Sequence, residues 1–487
     1  MYAHRRALTA VVMLVLTALL ATACGTGSGG GSGDGKVTLR IWDFSMEQVD
    51  FHKKVAEKYN QENPDVTIEW RAITQDEYKK TLPLAFQSRQ APDIFYWSES
   101  NMARQSLLLE QGWIAPLNGG EPLPQDVTSR WPAGSFIEGI NTAEGKTYSF
   151  PFTENLFWGP GYMFMNNQVF QQAGLDPANP PKTWSELEAT CAKIVAATEA
   201  ECIAAPKKGN QFQRLWHALT GGTMSNLFFD YKNGRFSLDD PKMLETFAFI
   251  QKLEKAGYLT PGSIDQNFAR QQFAANGAGI YMDGTWMPSV WATQGFTSDK
   301  YSVAAHPNPD AGPTGALVRE PSQNVYWVSS QSAAPDAAWA FMEWMTRPDG
   351  FFVQEYYKNG FGTLAFADSK KLVTDPALKK IMEIAETPGF RANIPLPILK
   401  CPDIAKSKAY SEAASQRPDA EYEAMLQALA DNSPLQPLAA GVVATRQKVF
   451  EDKLAAEQAS GLKVSKDCYT FPDWDYRTDY GLDRYTG

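Results

Sequence analysis

Apolar and polar positions alternate in "KVTLRIWDF", with Val37, Leu39 and Ile41 on one side, the period of a half-buried strand. In "VDFHKKVAEKYNQENP" the spacing changes to four, through Phe51, Val55 and Tyr59, which predicts a helix that stops before Pro64. "DVTIEW" alternates again, an amphipathic stretch "EYKKTLPLAFQSRQ" follows, and "PDIFYW" is a short apolar run. Strand, helix, strand, helix, strand predicts a parallel sheet with crossover helices. Beyond residue 150, "PKTWSELEATCAKIVAAT" opens on a capping box, Thr183 with Glu186. "DDPKMLETFAFIQKLEKAGY" has Asp240 as cap, Pro241 in first position and Gly257 as stop. "AGIYMDGTW" reads as a buried strand, and "AAPDAAWAFMEWMTRPDG" as a helix with an apolar core face, closed by Pro348 and Gly350.

In open α/β sheets, ligands lie in a crevice at the carboxyl ends of the strands. Three strand ends here pair an aromatic with an acid: Asp43 with Phe44, Trp97 with Glu99, and Asp283 with Trp286. Core packing explains any one of them; three together point to a binding crevice. Trp158, in the turn-like "FWGPGY", and Trp327 read as structural.

With 487 residues the chain exceeds one compact core and implies two domains with extensions. A net charge of −10 argues against nucleic acid, which needs clustered Lys and Arg. Only four His are present, little for His-based metal or acid–base chemistry. There is no Gly-x-Ser-x-Gly elbow and no His-Glu-x-x-His, and "GKT" at 145–147 lacks the P-loop glycine, since position 140 is Ile140. No cofactor and no metal are expected.

Residues 1–23 have two arginines, an apolar run from Ala10 to Leu20 and small residues before Cys24. The run is too short to span a bilayer and reads as a secretory signal. "ATAC" resembles a bacterial lipobox with Ala21 in place of the usual leucine, which implies lipidation at Cys24; plain secretion with a free Cys24 is the alternative. Residues 24–36 form a Gly/Ser tether, roughly 15–20 Å in reach. Its Gly-x-Gly-x-x-Gly spacing lacks a strand before it and a helix after it, so a dinucleotide site is excluded. Four further cysteines in an oxidising compartment suggest two disulfides, with three pairings open. Cys191–Cys202, close in sequence, and Cys401–Cys468, which would pin the tail, are the pairs we expect.

"APDIFYW", "FPFTENLFWGPGYMFMNNQVFQQAGLDPANPPKTWSEL", "FAANGAGIYMDGTW" and "AAWAFMEWMTRPDG", in that order, resemble the extracellular solute-binding proteins of ABC importers. The resemblance is to the carbohydrate-binding group typified by maltose-binding protein, and it covers nearly the whole mature chain. It implies an α/β, two-lobed periplasmic-binding-protein fold with hinge strands and an interlobe ligand cleft. One lobe would hold 37–151 and 305–365, the other 152–304 and 366–487, with "SFPF" (149–152) crossing between them. Carried over, Trp97 and Trp286 would stack on sugar, Glu99 and Glu154 would accept hydroxyls beside Asn155, and Trp216 would add an aromatic wall. The loop "DFSMEQ" lacks the family's Asp-Lys pair, and the tail "CYTFPDWDYRTDYGLDRYTG" has no counterpart in the resemblance.

Indole rings cover the C–H face of a sugar while carboxylates bind its hydroxyls, each such charge-assisted bond worth about 1.5–3 kcal/mol. The expected function is therefore a lipid-anchored, monomeric receptor on the extracellular face of a bacterial membrane. It would deliver a mono-, di- or oligosaccharide to ABC permease subunits without catalysis. Two alternatives stand beside it: a secreted carbohydrate-active enzyme using paired carboxylates, and a sugar-sensing lipoprotein.

Overall fold

A computed structural model describes residues 36–97, 105–153, 161–225, 227–319, 323–365, 369–415 and 418–485. Its two larger sheets have four strands each, numbered in chain order: β1 Val37–Asp43, β2 Val66–Ala72, β3 Ile94–Tyr96, β4 Tyr162–Asn166, β5 Glu201–Ile203, β6 Ala278–Asp283, β7 Tyr301–Ala305 and β8 Tyr326–Val328. The first sheet runs β8-β3-β1-β2 and the second β7-β4-β6-β5.

In the first sheet the expected pattern forms: β1 is parallel to β2 and to β3, through helices Val49–Glu62 and Gln75–Gln87. β8 then adds an antiparallel edge, with Trp327 opposite Phe95. The second sheet is mixed. β6 and β5 are parallel, but β4 runs antiparallel to both β6 and β7. All residues of β4 and β6 are buried, as central strands covered on both faces should be.

Local signals set the helix ends. Thr183 and Glu186 form the reciprocal capping box that starts helix Trp184–Ala197. Asp240 caps helix Pro241–Lys255, and Gly257 follows it at φ +72°, a conformation that favours glycine.

Between the two sheets, Pro151–Thr153 pairs antiparallel with Gln323–Asn324. One continuous apolar cluster includes Ile41 and Tyr326 of the first sheet and Phe164 and Tyr281 of the second. The C-terminal region adds helices Lys408–Ala413, Asp419–Ala430 and Gln436–Ala459. The tail is sewn onto the body: Trp474 is fully buried, Phe471 N donates to Tyr231 O (2.8 Å), and Tyr480 N to Asn393 O (3.0 Å). Both expected disulfides form, Cys191–Cys202 and Cys401–Cys468, with Cα–Cα distances of 5.0 and 5.7 Å. No helix among the described residues is long and apolar enough to cross a membrane.

Candidate functional site

β1 delivers Asp43 to its carboxyl end, where the side chain is fully buried. Trp70 Nε1 donates to Oδ2 (3.0 Å), Ser45 N donates to Oδ1 (3.1 Å), and His52 Nε2 lies 3.3 Å from Oδ2. The His52 ring stacks flat on Trp70, centroids 4.0 Å apart. Burial pushes the Asp43 carboxyl up to about 8 and pulls His52 down to about 3, so at neutral pH the couple is uncharged. Asp43 was expected to touch ligand; enclosed this way, it holds the loop that follows β1.

That loop carries Phe44 and the short turn Met46–Gln48. Phe44 is half-buried, its ring edge-on to Tyr96 (4.8 Å) and Tyr78 (5.5 Å). Tyr78 is sealed and donates to the Tyr96 carbonyl (2.8 Å), while Tyr96 keeps part of its ring exposed. Glu47 is half-buried. Burial pushes its carboxyl up, and a bond from its own backbone and the Arg270 guanidinium of the other sheet pull it part of the way back.

In the second sheet, β6 ends on Asp283, also fully buried. Its Oδ2 accepts from Arg214 Nε (3.1 Å), Arg270 Nη2 (3.0 Å) and the Tyr281 hydroxyl (2.8 Å), and its Oδ1 from Gly284 N (2.9 Å). Burial works against the charge, but the two guanidiniums outweigh it and hold the carboxyl below the usual range. Asp283 is fully buried and its Oδ2 is taken up by the two guanidiniums and the Tyr281 hydroxyl.

Trp286 follows, half-buried, with its ring laid over Gly284: a Cβ there would sit 2.2 Å from ring carbons. Only glycine leaves room for the indole at this strand end. The neighbouring Thr285 lies near the end of helix Phe351–Lys358, because a Cβ on Gly362 would lie 3.7 Å from both Thr285 Oγ1 and the Tyr356 hydroxyl. The carboxyl end of β6 therefore lies beside the segment after helix Phe351–Lys358. Thr363, next in that segment, is buried with its Oγ1 unpartnered.

Two other expected aromatics lie elsewhere. Trp97 is only 7% exposed and packs edge-on to Trp113 (5.8 Å) in the core beneath the first sheet. Its carbonyl accepts from Trp327 Nε1 (2.8 Å), so Trp327 is structural, in line with its reading from sequence. Trp216 is wholly buried and parallel to Phe228 in the second core. Burial thus leaves one half-buried indole of the expected set among the described residues, Trp286, and not a facing pair. Glu99, Glu154, Asn155, Trp158 and Cys24 lie outside the described residues.

Glu47, Arg214, Arg270 and Tyr96 were missed from sequence. For the arginines a signal existed, since "QRLWHAL" and "FARQQFA" each place a cation among apolar helix residues, where it needs a buried partner. Glu47 gave none.

A family model described as bacterial extracellular solute-binding protein matches residues 47–350. A protein of Brucella abortus (strain 2308), named as a binding protein, is 24% identical over 327 residues, 65% of this chain and 73% of its own. The sn-glycerol-3-phosphate-binding periplasmic protein UgpB of Yersinia pseudotuberculosis is 26% identical over 214 residues, 42% of this chain and 46% of that protein. Among solved structures, the chain is similar to the GacH receptor of Streptomyces glaucescens, determined unliganded and with acarbose. The TM-score is 0.60 at 18% identity, over 86% of this chain and 99% of that one. The shared architecture is two α/β lobes around a cleft, and the family match spans most of both sheets. The chain belongs to the bacterial extracellular solute-binding proteins.

Proposed function

We propose that the protein captures a sugar in the crevice between its sheets and delivers it to an ABC importer, without chemical change to the ligand. The observation that carries this reading is the half-buried indole of Trp286 at the end of β6, three residues beyond Asp283 and its two guanidiniums. An indole face with carboxylate and guanidinium neighbours matches a ring with an apolar face and a hydroxyl rim. The acarbose complex of the GacH receptor agrees in ligand class.

In this reading the lobes comprise 37–151 with 305–365 and 152–304 with 366–487. The pairing of Pro151–Thr153 with Gln323–Asn324, where the chain passes between sheets, supports that division. Ligand contacts come from Phe44, Glu47, Arg270 and Trp286, with Glu99, Glu154 and Asn155 completing the rim. Cys24 carries the lipid and residues 24–36 the tether, which puts a monomeric receptor outside the cell membrane. Closure of the lobes over the ligand would give the permeases a shape to recognise.

A second reading, an organic phosphate as ligand, has one observation in its favour: two buried guanidiniums share the single carboxylate of Asp283. A thermal-shift screen of the mature chain separates them. A ligand at about 100 times its Kd stabilises the fold by about 2.7 kcal/mol. Neutral saccharides should raise Tm and glycerol phosphate should not; the opposite result would replace the first reading by the second.

A further inference from the structure

Residues 131–142, shortly before the chain passes between the sheets, pack on two cores at once. Arg130 Nη1 donates to Glu343 O (3.0 Å) of helix Pro335–Met345, which packs on the first sheet. Trp131 stacks on Phe150 (centroids 5.0 Å) and donates from Nε1 to Pro151 O (2.7 Å). Between these anchors and the hairpin at 142–147, Ile137 and Ile140 enter a different cluster, that of the C-terminal region, with Leu396, Ile398, Trp474 and Tyr480. The turn that carries them is held by its own bonds. Asn141 is buried, its Oδ1 accepts from Ile137 N (2.7 Å) and its Nδ2 donates to Ser135 O (2.9 Å), while Ile137 O accepts from Ile140 N and Asn141 N (both 3.1 Å). The fit is close: a Cβ on Gly139 would lie 2.1 Å from Ile398 Cδ1 and 3.0 Å from Ala405 Cβ, and one on Gly134 2.8 Å from Leu482 Cδ1. Lys408 Nζ also lies 3.9 Å from Glu110 Oε1, an exposed pair that adds little energy but marks a second approach of the C-terminal region to residues before the crossing.

We infer that the turn at 135–142 and the socket formed by Ile398, Ala405 and Leu482 are a latch between the lobes, which limits how far the unliganded crevice opens. This rests on the lobe division proposed above and adds a restraint to it. The tail that supplies Leu482 has no counterpart in the family resemblance, so the latch is a property of this chain. Two lobes joined only by crossing strands part by rotation about those strands. A rigid knob that fills its socket cannot follow that rotation without drawing away from Ile398, and a gap of about 0.5–1 Å already forfeits a quarter to a half of each contact's attraction. Opening also exposes Ile137, Ile140 and Ile398 to water, a cost absent from a chain whose tail stops short of the first lobe. Gly134 and Gly139 make the approach possible: both have φ near +80° (+82° and +81°), and the socket's side chains stand where a Cβ would be. The latch acts on the free protein, so that a ligand meets lobes held near their closing distance.

Small-angle scattering and hydrogen exchange of the mature, ligand-free chain test this with three variants. Gly139→Ala puts a methyl group against Ile398. Gly145→Ala, at a similar φ of +75° but with nothing within 4 Å of the added carbon, reports backbone strain alone. Leu482→Asp alters a side chain that is 51% exposed, so it decides the matter if Gly139→Ala does not fold. Gly139→Ala and Leu482→Asp should speed exchange over 135–142 by about tenfold or more and raise the radius of gyration, and Gly145→Ala should do neither. Faster exchange at an unchanged radius overturns the latch, since the contact then covers a surface without restraining the lobes. Unaltered exchange in both contact variants overturns it too, because the turn is then held by the first lobe alone. An equal rise in radius in Gly145→Ala assigns the effect to strain and likewise overturns it. Scattering with maltose added separates the latch from the lobe reading. A wild-type radius that falls with sugar while all variants match wild type removes the latch alone; a radius that neither sugar nor substitution moves removes both.

Discussion

Asp43 and His52 form a buried couple whose protonation has consequences for stability. Asp43 is raised from an ordinary value near 3.8 to about 8, so its contribution is complete below pH 4 and is lost as pH rises towards 8. His52 is lowered from 6.5 to about 3, so its contribution is present above pH 6.5 and is lost as pH falls towards 3. The two slopes oppose each other between about pH 4 and 6.5, and only that of Asp43 remains from 6.5 to 8. Asp43→Asn should therefore flatten the decline in Tm over pH 6.5–8, with Tm close to wild type below pH 4 and above wild type near neutral pH. An unchanged slope would mean that Asp43 is ionised in the folded protein. At the other strand end, Gly284→Ala would force a Cβ against the Trp286 ring. Overpacking of this kind costs about 1–3 kcal/mol, and displacing the indole should weaken sugar binding by tenfold or more in calorimetry. Retained affinity would remove Trp286 from the site.

Helix Gln213–Thr220 shows at the element scale how an aromatic can be mistaken for a site residue. All eight of its residues are buried, and Trp216 is parallel to Phe228 at 6.1 Å. Trp216→Ala should cost about 3–5 kcal/mol of stability, read by denaturant unfolding, with ligand affinity unchanged under conditions where the variant is folded. A loss of affinity without a loss of stability would return Trp216 to the site. The tail allows a comparable test: Cys401–Cys468 links strands of chain 67 residues apart and joins the tail to the cluster around Phe450. Paired replacement by serine should cost about 2–5 kcal/mol. It should speed hydrogen exchange over 463–485 and leave sugar binding as it was.

Elements fixed by neighbours in sequence were legible in advance. Thr183 and Glu186 cap the helix that their spacing predicts, and Asp240, Pro241 and Gly257 bound theirs. β1, β2, β3 and β6 stand where alternation or apolar runs placed them. The direction of β4 was not legible, because its period is compatible with either orientation and pairing with β6 and β7 decides it. The candidate site was legible at its strand ends but not in its roles. Aromatic character alone does not separate the half-buried Trp286 from the sealed Trp97 and Trp216. The arginine pair on Asp283 was not legible either, because Arg214 and Arg270 reach that carboxylate from helices distant in sequence.

For the whole molecule, the central claim is capture without conversion, in a crevice bordered by both lobes. One calorimetric titration with a neutral oligosaccharide tests it most directly, because binding and turnover leave different heat signals. The expected record is a series of injection peaks that return to baseline and saturate at one ligand per chain. Sustained heat after each injection would reveal an enzyme, and a flat record across neutral saccharides would contradict sugar capture altogether.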